Sequence, residues 1–312
     1  MAMLHVSSSP HARNHTTTAI IMRDVLIALL PAAIFGVIYF GLNALLVTIA
    51  SVTTAVVTEY IYEKAMKLPI TTGDYSAAVT GLLIAMNMPP EIPFWVPMLG
   101  SVFAIVFVKM LFGGIGQNFM NPALAARCFL MISFAGMMTK FPVDAVTGAT
   151  PLAVLKTGGD VDLLASFLGT IPGTIGETSV VALVLGAAYL VVRRVISLRI
   201  PLTYILTFAV FTLLFGGRGF DLTFLAAEIC CGGLILGAFF MATDYVTSPI
   251  TPMGQIVFGI ALGIMTGLFR FQGNSAEGVS FAIIFCNLLV PLIEKVTLPK
   301  AFGREGRQNG KK

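Results

Sequence analysis

The sequence predicts an all-α polytopic membrane protein with about ten transmembrane helices in two inverted five-helix repeats. Three features predict this class: the composition, the spacing of the apolar runs and the placement of the basic residues. Of the 312 residues, 57% are hydrophobic and only 11% are charged, whereas soluble domains are typically ~45–50% apolar and ~25% charged. So few charges could not cover the surface of a water-soluble fold of this size, and the composition therefore excludes that class.

Ten apolar runs, separated by proline and glycine breakers, are the candidate membrane segments. A helix needs roughly 20 apolar residues to cross a bilayer. The third and seventh runs are short, which favours half-helices or re-entrant segments there. The runs lie near residues 25–43, 44–62, 74–89, 94–113, 119–138, 177–196, 201–215, 222–241, 253–270 and 279–297.

The basic residues predict the orientation in the membrane. An even number of crossings puts both termini on one side, and the tail after residue 299 is rich in Lys and Arg. Cytoplasmic connections are enriched in these residues, so both termini are expected in the cytoplasm. The overall net charge of +4 is scattered along the chain and does not indicate nucleic-acid binding. Only four cations fall on the outer side: Lys140, Lys156, Arg218 and Arg270.

This organisation divides the chain into five parts. An odd number of crossings in each half makes the halves run in opposite senses, as in the inverted repeats of many transport proteins. The matching pairs Asp74-Tyr75 and Asp244-Tyr245 add weak internal similarity. The parts are a cytoplasmic polar tail at 1–23, a first repeat at 24–138, an extracytoplasmic loop at 139–176, a second repeat at 177–298 and a basic cytoplasmic tail at 299–312.

A glycine-rich polar segment at 113–122 interrupts the first half. Asn118 and Asn121 are three residues apart, so a helix would place them on one face. Asn121 before Pro122 is typical of an N-cap followed by proline at the first helical position. The segment predicts either a polar pocket for a planar, hydrogen-bonding ligand or simply a capped helix start.

A second polar segment, 144–153, lies in the long outer loop. Thr150 before Pro151 predicts another N-cap, with a short helix from Pro151 to about Lys156. Because helix N-termini attract phosphate, the Thr150 hydroxyl could contact a phosphate or be esterified by one. An ordinary cap is the alternative. A third segment, 241–252, could line an ion path or a cofactor pocket, or form a capped turn.

Four carboxylates near or within the apolar runs are candidates for an ion path or pocket: Glu59, Asp74, Glu228 and Asp244. Ionisable residues are costly in lipid and tend to face the interior of a bundle. The alternative is that each pairs with a neighbouring basic or hydroxyl group. The cysteines, Cys128, Cys230, Cys231 and Cys286, contain no C-x-x-C spacing. They indicate packing residues or an iron–sulfur ligand shared with a partner subunit, and no metal site within this chain is expected.

These segments together resemble the RnfD subunits of Rnf-type ferredoxin:NAD oxidoreductases and are related to the NqrB subunits of sodium-pumping NADH:quinone reductases. The resemblance covers essentially the whole chain from about Arg23 to Pro299. Its specific feature is a [Ser/Thr]-Gly-Ala-Thr motif, read here as Thr147-Gly148-Ala149-Thr150. The chain has Ala145 where family members often have Gly, and it lacks the long N-terminal extension of NqrB proteins, which favours the RnfD branch.

The resemblance implies a covalent FMN attached to Thr150 through a phosphoester bond, with Asp144, Thr147, Gly148 and Ala149 as its environment. It also implies a second, non-covalent flavin, riboflavin, near Asn118 and Asn121. The expected location is the inner membrane of a bacterial cell. The implied partners are the other Rnf-type subunits, RnfA, RnfB, RnfC, RnfE and RnfG, above all the RnfG-like extracytoplasmic FMN subunit.

The function implied by the resemblance is electron transfer within a ferredoxin:NAD oxidoreductase complex that translocates Na⁺ or H⁺. The chain would be one component of this translocase and not catalytic alone. Two other classes compete with it: a cofactor-free ion transporter or channel subunit, and a structural scaffold in the membrane. A flavin bound covalently to the polypeptide separates the first class from both others.

Overall fold

The computed structural model describes residues 16–143, 146–147, 150–273 and 278–299, and these residues are mostly helical. The helix that begins at Trp95 continues into a π-helical stretch, Ala104–Lys109, and ends in a 3₁₀ turn. The helices of the first part of the chain are α1 (Thr18–Phe40), α2 (Leu42–Ala65), α3 (Ser76–Met86), α4 (Trp95–Phe112), α5 (Pro122–Ser133) and α6 (Ala135–Met138).

The long loop and the second half follow. The loop contains one antiparallel pair of two-residue strands, β1 (Pro142–Val143) and β2 (Val146–Thr147). It also carries two short helices, α7 (Pro151–Lys156) and α8 (Leu163–Leu168). The remaining helices are α9 (Val180–Val192), α10 (Arg199–Phe215), α11 (Leu222–Cys230), α12 (Leu234–Met241), α13 (Pro252–Gln272) and α14 (Val279–Thr297).

Five helices of the described chain, α1, α2, α4, α13 and α14, are long and apolar enough to cross a membrane. The bent pair formed by α11 and α12 makes a sixth candidate span. Shorter apolar helices, α3, α5, α9 and α10, accompany them. The predicted class is therefore confirmed at the level of an all-helical polytopic membrane protein.

Helices far apart in sequence pack together to form the core. α1 lies against α9, and α2 lies against both α3 and α4. In the second half α13 packs between α10 and α14, while α5 reaches across to α14. Many large apolar side chains on the outside of this bundle are exposed, as expected for a surface that faces lipid.

The first helix begins at Thr18, earlier than the predicted start at residue 25. The Thr17 hydroxyl accepts a hydrogen bond from the Ile20 amide at 3.4 Å and so caps the helix. The hydropathy pattern did not indicate this start because the first turns of the helix contain Arg23 and Asp24. Part of the predicted N-terminal tail is therefore helical.

The predicted segment 222–241 is not one helix but two, bent by 62°. Gly232 and Gly233 lie at the break with φ angles of 69° and 67°. Only glycine adopts this left-handed backbone at little cost, and the pair ends one helix and starts the next inside the bundle.

The end of the long loop, which was predicted to extend to residue 176, enters the bundle. Thr174, Ile175 and Glu177 are buried. The backbone amides of Ile175 and Gly176 donate to the carbonyls of Met88 and Met86, at 3.0 and 2.9 Å. These bonds satisfy carbonyls left free where α3 ends within the apolar region, as any backbone in lipid requires.

The close contact between α1 and the inserted segment gives a stability prediction. A Cβ at Gly36 would overlap the Ile175 carbonyl oxygen, whereas one at Gly136 in α6 would meet nothing. Gly36→Ala should therefore cost about 1–3 kcal/mol through overpacking, seen as a lower Tm of the purified chain in detergent. Gly136→Ala is the matched control, and equal melting of the two variants would contradict the close packing.

Candidate functional site

Thr150 is the N-cap of α7, as the Thr-Pro pair predicted. Its Oγ1 accepts a hydrogen bond from the Ala153 amide at 3.4 Å, and Pro151 occupies the first helical position. The residue is half-buried. Its hydroxyl therefore makes one weak bond and remains within reach of the solvent side of the loop.

The predicted environment of Thr150 is only partly visible. Asp144, Gly148 and Ala149 lie outside the described residues. Thr147 is described only as part of strand β2, whose backbone pairs with Pro142. The structure thus places Thr150 itself but not the side chains that precede it in the motif.

A small cavity of about 20 Å³, here called the Thr150 cavity, lies next to the Thr150 side chain. This volume holds about one water molecule. Neither Glu177 Oε2 nor Thr178 Oγ1 has a hydrogen-bond partner among the described residues. Buried polar atoms are normally hydrogen-bonded, so the Thr178 hydroxyl indicates room for a polar occupant, whereas Glu177 Oε2 lies within ion-pair distance of Arg127. The lining residues are Thr150, Pro151, Leu152, Ile171, Pro172, Gly173, Glu177, Thr178, Cys231 and Gly232.

The Glu177 carboxylate belongs to a buried polar cluster that the sequence did not predict. Its Oε2 lies 3.6 Å from Arg127 Nη1. The same guanidinium donates to Asn87 Oδ1. The cluster joins α5, the residue after α3 and the inserted segment, and it lies directly behind the Thr150 cavity.

The break between α11 and α12 is held by one side chain from α13. Arg270 Nη1 donates to the Glu228 carbonyl at 2.5 Å and to its Oε2 at 2.9 Å. Arg270 Nη2 donates to the carbonyls of Cys231 and Gly232 at 3.0 and 3.1 Å. The guanidinium thus replaces helical amides as the donor to carbonyls that the break leaves free.

Helix α7 docks on this broken helix. Leu152 and Leu155 pack with Phe224, Ala227 and Cys231 in one apolar cluster. Lys156 Nζ donates to the carbonyl of Gly273 at the end of α13. The position of Thr150 therefore depends on the α11–α12 break and on the arginine that holds it.

A larger cavity of about 300 Å³, here called the α7 cavity, lies beside the same helix. Leu152 lines both this cavity and the Thr150 cavity, so the two are neighbours. Its lining residues are Leu152, Leu155, Lys156, Gly158, Phe215, Gly216, Gly217, Arg218, Phe224, Glu228, Arg270 and Phe271.

Asn118 and Asn121, the predicted second site, line one cavity of about 90 Å³ at the other end of the bundle, here called the Asn118 cavity. Asn121 Oδ1 caps α5 by accepting from the amides of Ala123 and Leu124, and its Nδ2 donates to the Met241 carbonyl at 3.3 Å. Asn118 Nδ2 donates to the Met120 carbonyl at 3.2 Å. Asn121 thus serves as the predicted cap and also ties α5 to α12.

The four predicted carboxylates lie in three places, and each has a partner. Lys109 Nζ contacts Glu59 Oε1 at 2.5 Å and Ser76 Oγ at 2.6 Å. Asp74 Oδ1 accepts from the same Ser76 hydroxyl at 2.5 Å. Asp244 accepts from the Thr247 hydroxyl at 3.1 Å.

Glu228 is the fourth of these carboxylates and pairs with Arg270. The structure therefore does not bring the four acids together in one path. Lys109 and Asp244 both line the Asn118 cavity, whereas Glu228 lines the α7 cavity. An ion path through them stays a prediction.

The four cysteines form no disulfide. Cys128, Cys231 and Cys286 are buried and Cys230 is half-buried, all as free thiols. Their burial fits the packing interpretation, and an iron–sulfur ligand shared with a partner stays a prediction.

Sequence reasoning missed Arg127, Glu177 and Arg270 as site residues. The signals for Arg270 were present: it was one of four cations on the side where few were expected, and a Gly-Gly pair interrupted a predicted helix. No comparable signal marked Glu177, which stands at the predicted boundary between the loop and the sixth apolar run.

A family model and individual relatives identify the same protein family. Residues 5–303 match the model of the NQR2, RnfD, RnfE family. The chain is 47% identical over 310 residues to the D subunit of the Na(+)-translocating ferredoxin:NAD(+) oxidoreductase complex of Acetobacterium woodii, covering 96% of this chain and 95% of that protein.

Two further relatives extend this similarity. The D subunit of the proton-translocating ferredoxin:NAD(+) oxidoreductase complex of Clostridium ljungdahlii is 45% identical, with 96% of both chains covered. The D subunit of the ion-translocating oxidoreductase complex of Stutzerimonas stutzeri is 35% identical, with 92% of both covered. The similarity spans the helices and loops that carry both ends of the candidate site.

The buried pair of Lys109 and Glu59 gives a second stability prediction. Lys109→Met leaves a buried carboxylate without its counter-charge and should cost about 3–5 kcal/mol. The double variant Lys109→Met with Glu59→Leu should recover most of the loss, measured as Tm in detergent. The pair formed by Arg218 and the exposed Asp160 is the control: Asp160→Asn should leave Tm unchanged. Additive losses in the double variant would contradict a direct pair.

Proposed function

The chain belongs to the NQR2, RnfD, RnfE family, and from this premise we propose that it is the membrane electron-transfer subunit of an ion-translocating ferredoxin:NAD oxidoreductase complex. As one component of a translocase it does not catalyse the overall reaction alone. Relatives named as Na⁺-translocating and as proton-translocating are similarly close, so family membership leaves the coupling ion open.

The chain carries FMN covalently on Thr150 in this proposal. The main support is the hydroxyl of Thr150, a half-buried residue that ends the motif Thr147-Gly148-Ala149-Thr150. It lies beside a cavity in which two polar atoms lack hydrogen-bond partners among the described residues. Bound there, FMN supplies one- and two-electron chemistry. Thr150 is a tether without an acid–base role, α7 and the α11–α12 break fix its position, and the Thr178 hydroxyl can donate a hydrogen bond toward the phosphoester.

A second, non-covalent flavin occupies the Asn118 cavity in the same proposal. Ser76, Thr80, Asn118 and the Lys109 ammonium present polar groups between apolar walls there, a combination usual in ligand sites. The cavity of about 90 Å³ is smaller than the roughly 300–1,000 Å³ of such sites, so side chains must move to admit a ring system. Flavins at both ends of the bundle would carry electrons across the bilayer.

The helices form two inverted five-helix repeats in this proposal, α1 to α5 and α9 to α14, with α11 and α12 as one broken span. Two contacts and one shared feature support it. The first helices, α1 and α9, pack together, as do the last, α5 and α14. The fourth helix of each half ends in a buried cation paired with a carboxylate, Lys109 or Arg270.

The Asp-Tyr similarity does not contribute to this support. Asp74-Tyr75 comes just before the third helix of its half, α3, whereas Asp244-Tyr245 follows the third span of the other half. The two pairs therefore do not occupy corresponding places in the repeats.

Both termini are cytoplasmic and the Thr150 loop is extracytoplasmic in the proposed topology of the inner membrane. The excess of basic residues at the end that holds the termini supports this orientation. An RnfG-like subunit would then exchange electrons with the group on Thr150 from outside. The other Rnf-type subunits would act in the membrane and on the cytoplasmic side.

The covalent flavin gives the third prediction. Purified, denatured wild-type chain should show flavin fluorescence that stays with the polypeptide on a gel, and Thr150→Val should abolish it because no hydroxyl remains to esterify. Thr157→Val, at the other end of α7, is the matched control and should retain it. If the chain from the assembled complex shows no flavin fluorescence on the gel, the proposal is wrong, and a cofactor-free transporter subunit or a scaffold is favoured.

The orientation gives the fourth prediction. Asp160 lies at the end of the bundle that holds Thr150, and Ser197 lies at the opposite end; both are exposed. Each is replaced by cysteine, as Asp160→Cys and Ser197→Cys. A membrane-impermeant maleimide added to intact cells or spheroplasts should label the first variant, and the second only after permeabilisation. The reverse pattern would place the Thr150 loop in the cytoplasm.

A further inference from the structure

The Thr150 cavity is too small for a flavin ring. Its volume of about 20 Å³ suffices for roughly one water molecule. The α7 cavity, which shares Leu152 with it, has about 300 Å³ and reaches the lower limit of typical ligand sites. The six residues of α7 span about 9 Å at 1.5 Å per residue, so the α7 cavity lies within one short helix of Thr150.

The charges around the α7 cavity are unusual for its position in the bundle. Four cations were expected at the end with few basic residues, and three of them, Lys156, Arg218 and Arg270, line this one cavity. Glu228 is the only carboxylate in the lining as described. Arg270 pairs with Glu228 and Arg218 pairs with Asp160, while Lys156 donates to a neutral carbonyl, that of Gly273. The three cations therefore exceed these two acids by one charge, which favours an anionic occupant.

The donors and walls define the occupant further. Arg270 is 3% exposed, yet its Nε has no hydrogen-bond partner among the described residues. The Arg218 guanidinium lies over the Phe224 ring, 5.1 Å from its centre. Phe215 and Phe271 add two more aromatic walls. The cavity thus combines flat apolar surfaces with buried positive charge, which suits a planar ring that becomes negative on reduction.

We propose that the α7 cavity receives the isoalloxazine ring of the FMN tethered at Thr150, and that Arg218 and Arg270 stabilise its reduced form. The inference rests on the proposed covalent flavin. The tether favours this occupant over a free anionic lipid headgroup, because binding within one molecule proceeds at a high effective concentration. Placing positive charge beside the ring is one of the ways in which a protein sets the potential of its cofactor.

The first test fills the cavity. Leu155→Trp should leave the flavin attached to Thr150, shown by fluorescence on a denaturing gel, but should expel the ring. The native variant should then lose the visible circular dichroism of the bound ring and become more open to quenching by iodide. Leu164→Trp on α8, where Leu164 is 67% exposed, is the matched control and should keep wild-type signals.

The outcomes separate the two proposals. If wild-type chain carries no covalent flavin, the proposed function fails. If flavin is attached and Leu155→Trp behaves like wild type in dichroism and quenching, the ring lies elsewhere and the inference fails alone. A wild-type cavity that instead retains an anionic phospholipid through purification, with the ring accessible to iodide, would also overturn it.

A second variant tests the charge without filling the cavity. Arg218 is near the surface and its removal should leave the fold intact. Arg218→Gln should lower the ratio of reduced to oxidised flavin at a fixed potential by about three- to tenfold, from the loss of one nearby positive charge. Arg199→Gln at the opposite end of the bundle is the control. An unchanged ratio in Arg218→Gln would show that the ring does not sense this cavity.

Discussion

A carbonyl released by a helix break inside a membrane must find its donor in the protein, because lipid offers none. Arg270 supplies that donor for the carbonyls of Glu228, Cys231 and Gly232. The break in turn forms the surface on which α7 packs, and α7 presents Thr150. The position of Thr150 thus depends on a guanidinium that lies outside the Thr150 motif. A buried arginine at this position is costly by itself, but its hydrogen bonds and its carboxylate partner offset that cost.

The two halves use a buried cation at the same place for different purposes. Lys109, near the end of α4, neutralises Glu59 and holds the first turn of α3 through Ser76. Arg270, near the end of α13, binds backbone carbonyls that a compact ammonium could not reach together, because only the forked guanidinium presents several donors in fixed directions. Both cations face cavities at opposite ends of the bundle. The same element of each half therefore sets the charge at one of the two candidate cofactor sites.

The class, the approximate positions of the helices and the two Xaa-Pro caps were predictable because each is encoded locally. Composition gives the class, the apolar runs give the helix positions, and Asn121-Pro122 and Thr150-Pro151 contain both parts of a cap within two residues. The inserted segment at 174–179 and the cluster of Arg127 with Glu177 were not predictable. Their partners are distant in sequence, and the sequence of the segment is typical of a polar loop. Its insertion is explained only by the carbonyls of Met86 and Met88, which need hydrogen-bond donors. The α11–α12 break was signalled by its glycines and Arg270 by its place among the four outer cations, but the contact between them could be identified only in three dimensions.

Helix α3 contacts both ends of the candidate electron route. Its first residue, Ser76, accepts from Lys109 and lines the Asn118 cavity. Its last carbonyl, that of Met86, accepts from Gly176, next to the Glu177 that borders the Thr150 cavity. Eleven residues make a rod of about 16 Å whose two ends lie beside different candidate cofactor sites. If α3 moves as a rigid body, a displacement imposed at one end reaches the other end, and any influence of one site on the other is then equal in both directions.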